Sequence, residues 1–142
     1  MSRAPFQILV FLRRVIDGMA ECLLLRRADK GVWQGVAGGG EGDETPAEAA
    51  IRETFEETGV LVTDVKDLES VEMLSVLDVA GYHRWGEEIT TIPEFAFFAD
   101  VSSDVSIHLS GEHTEYRWCS LDQALKLLEW DSNKRAIRNI LC

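Results

Sequence analysis

Glu53, Glu56 and Glu57 crowd three carboxylates into five residues, and Glu44 adds a fourth upstream. Oxygen ligands with net negative charge are what a hard divalent cation such as Mg²⁺ requires. The segment that carries them has the signals of a helix. Thr45 can cap it, Glu48 three residues on completes a capping box, and Pro46 takes the first helical position. Thr58-Gly59 is the stop, since Gly59 can adopt the left-handed C-terminal conformation. Turned at about 100° per residue, the helix puts Ala47, Ala50, Ile51, Thr54, Phe55 and Thr58 on an expected core side. Ala49, Arg52, Glu53, Glu56 and Glu57 are expected to project from the opposite side. Glu53 and Glu57 are an i,i+4 like-charge pair that costs about 0.2–0.5 kcal/mol, and Arg52–Glu56 recovers a similar amount. Glu56 and Glu57 also lie in the last turn, where the helix dipole disfavours negative charge. A helix selected for stability alone would not carry this arrangement. The residues fit either a cation site or a solvated acidic face.

The spacing separates the two. Gly38, five residues, Glu44, seven residues, then Arg52-Glu53-Thr54-Phe55-Glu56-Glu57-Thr58-Gly59-Val60 resembles the Nudix box. That motif runs G-x5-E-x7-R-E-U-x-E-E-x-G-U, with U apolar, and all seven of its fixed positions are filled. The one departure is Thr54 at an apolar position, where its methyl group can still pack. The resemblance implies hydrolysis of a nucleoside diphosphate linked to another moiety, with Mg²⁺ or Mn²⁺ and water. Such chemistry needs positioning and charge neutralisation, and a bound metal lowers the pKa of a water nucleophile. Carried over by position, Glu53, Glu56 and Glu57 are expected metal ligands, with the Ala37 carbonyl and Glu112 as further ones. Arg52 is expected to hold the cluster by pairing with a carboxylate, and Glu44 to brace the glycine-rich loop. The general base is expected to be Glu53 or, outside the box, Glu112. Gly38, Gly39 and Gly40 let backbone approach phosphate closely, but no Gly-Lys-Ser/Thr follows, so the loop is not a P-loop.

Composition narrows the class. With 142 residues, 46% of them hydrophobic and 27% charged, the chain reads as a single domain over 1–142 with a proper core. The net charge of −11 argues against nucleic acid or an anionic membrane as partner. Cys22, Cys119 and Cys142 are odd in number and lack CxxC spacing, as expected of reduced thiols in a cytoplasmic protein. Ile8 to Leu12 is too short for a signal-peptide core and is expected to be a buried strand.

The elements that must position the acids alternate. Phe6 to Arg13 and Glu21 to Arg27 are β-type runs around an Asp17-Gly18 hairpin turn. After the acidic helix, Leu61 to Val65, Val71 to Val79 and Ile89 to Val101 suggest strands, the last an edge or a bulged strand because of Pro93. Ala80 to Glu88, with His83 and Arg84, is expected to be a loop that shapes specificity. A loop through Glu112 precedes a short strand at Tyr116 to Cys119. Ser120-Leu121-Asp122-Gln123 is a second capping box that opens a helix to about Leu128, and a last helix runs from about Asn133 to Leu141. The fold class is α/β with a mixed β-sheet covered by helices, which the resemblance sharpens to the Nudix α/β/α sandwich.

The resemblance extends past the box. Trp33-Gln34-x-Val36-x-Gly38, Glu112-His113-x-x-Tyr116-Arg117-Trp118 and Ser132-Asn133-x-Arg135-Ala136-Ile137 are similar to segments of the dihydroneopterin triphosphate pyrophosphatase group. The implied substrate is a small nucleotide or pterin triphosphate, cut to a monophosphate and pyrophosphate. The Glu112 segment also resembles asymmetric dinucleoside tetraphosphate hydrolases, which would give ATP and AMP. A non-catalytic Nudix-fold binding module is the remote alternative, because the box carboxylates are present. Trp33 is a candidate stacking surface for a base or pterin. Arg27, Arg3, Arg26, Asn133 and Arg135 are candidate phosphate contacts. His83 and His113 are assigned no chemistry. The assembly is expected to be a monomer or a homodimer.

Overall fold

The computed structural model describes residues 3–78, 85–86 and 88–142. Residues 79–84 and 87, and with them most of the expected loop Ala80–Glu88 including His83 and Arg84, lie outside the described residues.

The central strand is β1, Arg3–Ile16. Asp17 (φ 51°) and Gly18 (φ 78°) turn it into β2, Met19–Arg27, as the hairpin signal predicts. Then come β3 (Trp33–Gln34), β4 (Val36–Glu41), helix α1 (Pro46–Thr58), β5 (Lys66–Ser75), β6 (Thr91–Asp100), β7 (His113–Cys119), α2 (Leu121–Leu127) and α3 (Asp131–Leu141). The strands form one mixed sheet in which β1 and β6 run parallel and the other pairs antiparallel.

The apolar run at β1 is explained by burial on both faces. Ile8, Val10 and Leu12 enter the core beneath α1, whereas Leu9 and Phe11 enter the core beneath α2 and α3. Helices thus cover both faces of the sheet, the α/β/α layering that the Nudix resemblance implies.

Three expectations change. Leu61 to Val65 forms no strand, and the pairing begins at Lys66. β6 is an interior strand, paired with β1 and β5, although it contains Pro93. The β1 ladder begins at Glu94, so the missing N–H of Pro93 falls just before it. The glycine-rich stretch is a strand and not a loop: Gly38 and Gly39 pair with Ile8 and Gln7 on β1.

One feature of the sheet makes room for a site. β6 occupies one edge of β1 from Gln7 to Arg13. On the other edge β4 pairs with β1 as far as Val10, and β2 takes over from Arg13. The two partners therefore part company along β1, and a cleft opens where they diverge. Asn133 of α3 straps the fork, its Oδ1 accepting the Gly35 N–H at 2.9 Å.

Candidate active site

Helix α1 begins and ends as its sequence dictates. The Thr45 side chain accepts the Glu48 N–H at 3.2 Å, the Glu48 carboxylate accepts the Thr45 N–H at 2.8 Å, and Gly59 closes the helix at φ 74°. Its rotation about its own axis differs from expectation. Ala49, Ala50, Thr54, Glu57 and Thr58 are buried, whereas Phe55 is 53% exposed. Seven residues subtend about 700°, which is about 20° short of two turns. Glu57 therefore lies in line with Ala50 on the buried arc. Sorting the residues by polarity places Glu57 outside; the helical angle places it inside, at 1% exposure.

Arg52 gathers the surrounding acids. Its Nε and Nη2 donate to Glu44 at 2.8 and 3.0 Å, and Nη1 donates to Glu53 at 3.0 Å and Glu56 at 3.1 Å. Nη2 also donates to the Gly39 carbonyl at 2.8 Å, which ties α1 to β4. Glu44 in turn accepts the Glu41 N–H at 2.9 Å. The hydrogen bond from Arg52 holds the Glu44 carboxyl below its ordinary range, and the same pairing raises Arg52. The glycines are required by contact. A Cβ on Gly38 would run into the Glu53 carboxylate, and one on Gly39 into the Arg3 guanidinium.

Glu57 is the unusual member. Neither of its buried carboxylate oxygens has a hydrogen-bond partner. Burial pushes its pKa strongly upward, and the nearby Glu53 and Glu112 push it the same way. His113 Nε2 stands 3.6 Å from Glu57 Oε1, and burial lowers the pKa of that histidine. The two side chains thus face each other with both charges disfavoured. Among the described residues, no group of three His, Cys, Asp or Glu side chains yet stands close enough to cage an ion. The donor chemistry fits one nonetheless: a buried carboxylate with both oxygens unpartnered, beside two further acids, is what a divalent cation satisfies.

A cleft of about 900 Å³ runs from these acids across the fork. It brings together ten of the residues singled out from sequence: Arg3, Arg27, Ala37, Gly38, Gly39, Glu53, Glu56, Glu57, Glu112 and Asn133. Arg52 and Glu44 stand behind this lining, holding it. Trp33 and Arg135 stand away from it. Trp33 packs into the core under α2 and α3 with the Arg117 guanidinium 5.3 Å from its ring, and Arg135 pairs on the surface with Glu72. Arg27 reaches the cleft held by both oxygens of Asp29 at 2.9 and 2.6 Å, so a phosphate there would compete with that pair. Arg3 donates to the Ala4 and Phe6 carbonyls and to Gln7, and its guanidinium lies 5.2 Å from the Trp85 ring.

Sequence reasoning missed Glu94, Gln7 and Gln34, which also line the cleft, and gave His113 no place in it. The signal for Glu94 was available. It is the one acid between Ile92 and Ala99, in a run otherwise composed of apolar residues.

Comparison with known proteins identifies the family. The NUDIX domain family model matches residues 6–140. The asymmetrical bis(5'-nucleosyl)-tetraphosphatase of Sus scrofa is 32% identical over 136 residues, covering 92% of this chain and 88% of that protein. The dihydroneopterin triphosphate diphosphatase of Haemophilus influenzae is 30% identical over 124 residues, covering 84% and 77%. Among solved structures, the dihydroneopterin triphosphate pyrophosphohydrolase of E. coli superposes with a TM-score of 0.81 at 27% identity, covering 98% of this chain and 96% of the other. With the box residues gathered at one end of a cleft and the match spanning nearly its whole length, the chain belongs to the NUDIX family of hydrolases that act on phosphoric anhydride bonds.

Proposed function

We propose that the chain is a Mg²⁺-dependent pyrophosphohydrolase that cuts a nucleoside or pterin triphosphate, such as dihydroneopterin triphosphate or a dATP-like nucleotide, to the monophosphate and pyrophosphate. The observation that carries this reading is the unpartnered, buried Glu57 carboxylate beside Glu53 and Glu56. Glu53, Glu56 and Glu57 would hold the cation, with the Ala37 carbonyl and Glu112 as further donors; Mn²⁺ would serve the same set. The bound ion supplies charge neutralisation and an acidified water. Arg52 keeps Glu53, Glu56 and the Gly39 carbonyl in fixed relation. Gly38 and Gly39 let the Glu53 carboxylate and the Arg3 guanidinium lie against the β4 backbone at the cleft wall. Glu53, from α1, or Glu112, from the turn before β7, takes the proton of the attacking water; single substitutions to Gln distinguish them.

A second reading is asymmetric cleavage of a dinucleoside tetraphosphate, favoured by the 32% identity to the Sus scrofa tetraphosphatase. Product analysis with Mg²⁺ tests both. The panel holds dihydroneopterin triphosphate, the common (d)NTPs, diadenosine tetraphosphate and ADP-ribose. Pyrophosphate from a triphosphate is expected. ATP with AMP from the dinucleotide would replace the first reading by the second, and no turnover of any substrate would overturn both.

A further inference from the structure

Glu94 is 6% exposed, and its Oε1 has no hydrogen-bond partner, yet it lines the open cleft. Its neighbours on β6 fix the direction of its side chain. Ala96 and Phe98, two and four residues on, enter the core under α2 and α3, so Glu94 faces that side as well. It stands directly across from Gln7 on β1 and Glu72 on β5. Ser132 and Asn133, at the start of α3, line the same cleft, as do Leu74 and Trp130, which supply apolar surface for a ring.

A buried acid with a free oxygen costs stability unless something donates to it. The protein does not finish the task. Burial raises the Glu94 pKa, while a hydrogen bond from the Ser132 side chain lowers it, Glu72 raises it and the Arg135 charge lowers it, which leaves Oε1 without a partner. In the open cleft the remaining donor is water or a ligand that displaces it, and the acceptor sets the chemistry of that ligand. Two carboxylate oxygens match two adjacent N–H groups held in a plane. A 2-amino-4-oxo heterocycle presents that edge: a ring N–H beside an exocyclic amine, shared by guanine and pterin. Adenine presents one donor beside a ring nitrogen acceptor, whose lone pair opposes a carboxylate oxygen.

We propose that Glu94 is a specificity-determining residue that pairs with the donor–donor edge of a 2-amino-4-oxo heterocycle and thereby selects guanine or pterin substrates over adenine ones. This deepens the pyrophosphohydrolase reading, favouring its pterin substrate over the dATP-like one, and rests on it for the identity of the cleft, so the test reads binding as well as turnover. Calorimetric affinities for GMP, AMP and dihydroneopterin are measured on the full chain, for the wild type and for Glu94→Gln. The wild type is expected to prefer GMP or dihydroneopterin to AMP by roughly tenfold or more, the worth of one well-made bidentate pair. Whichever of the two binds tighter identifies the source of the heterocycle. In Glu94→Gln the amide N–H meets the ring N–H, and the preference is expected to collapse to near unity with AMP affinity retained. Glu94→Ala, which removes the acceptor without a new donor, should lose the same preference if Gln disturbs the fold. Equal wild-type affinity for AMP and GMP, or a ratio unmoved in both variants, would overturn the proposal. If the binding preference holds but no triphosphate is cleaved, the pyrophosphohydrolase reading fails and the selection by Glu94 stands.

Discussion

Two acids in this cleft are buried with unpartnered oxygens, and their surroundings differ. Glu57 stands among like charges, with Glu53 and Glu112 raising its pKa in addition to burial. Glu94 stands near Ser132 and Asn133 and within reach of the Arg135 charge, and burial is its main perturbation. A cluster of acids is relieved by a cation or, without one, by a proton on its buried member, because no neutral donor can offset several negative charges at once. Glu94, with one like charge at Glu72 and one opposite charge at Arg135 near it, is satisfied by two N–H donors. The same chemical group thus reads as a charge sink at one place and as a hydrogen-bond gauge at the other. Charge density decides which.

The largest effect that would break this contrast concerns Glu57. Glu57→Gln should lower kcat on every substrate alike, by more than the roughly 10–100-fold typical of residues that only support a metal ligand. The thermal shift produced by Mg²⁺ should vanish with it. In the wild type that shift corresponds to about 2.7 kcal/mol when Mg²⁺ is a hundred times its Kd. A substrate-dependent loss, or an intact Mg²⁺ shift, would assign Glu57 to substrate selection instead. Arg52→Ala comes next. It frees Glu44, Glu53 and Glu56 and the Gly39 carbonyl, and should cost on the order of 2–3 kcal/mol in denaturant unfolding, because each charge-assisted hydrogen bond contributes about 1.5–3 kcal/mol and the site stays partly open to water. A melting point unchanged from the wild type would show that the gathered acids hold their places without it.

The smallest effect is a pH dependence at Glu94. Its folded pKa lies above the ordinary 4.5. Its contribution is therefore fully present below about pH 4.5 and is lost as pH rises through the folded value. The stability difference between Glu94→Gln and the wild type should then grow in favour of Gln as pH rises from acid to neutral. A constant difference across that range would mean that Glu94 is already satisfied within the protein, leaving no acceptor for a ligand.

Local chemistry was legible from the residues themselves. Both capping boxes, the Gly59 stop and the Asp17-Gly18 turn formed where they were expected, because each depends on neighbours within a few positions. The Arg52–Glu56 pair is equally readable from spacing, and the motif implies that Arg52 holds a carboxylate, which the structure shows to include Glu44. Errors arose where the partner was distant. The glycines became a strand because β1 offered them a ladder, and Pro93 entered an interior strand because the β1 pairing starts just after it. Glu57 is a local exception: its helical angle, readable from the sequence, outranks its polarity and puts it inside.

The sequence by itself determined the helix and its acids, the burial of the β1 run and membership of the family, since all three follow from residue types at fixed separations. Only the tertiary structure decided what the acids face. β1 exchanges β4 for β2 along one edge, α3 straps the fork through Asn133, and the cleft that results joins Glu57 to Glu94 across elements far apart in the chain. No local spacing encodes that meeting, because it depends on long-range strand pairing and on which sheet face each side chain enters.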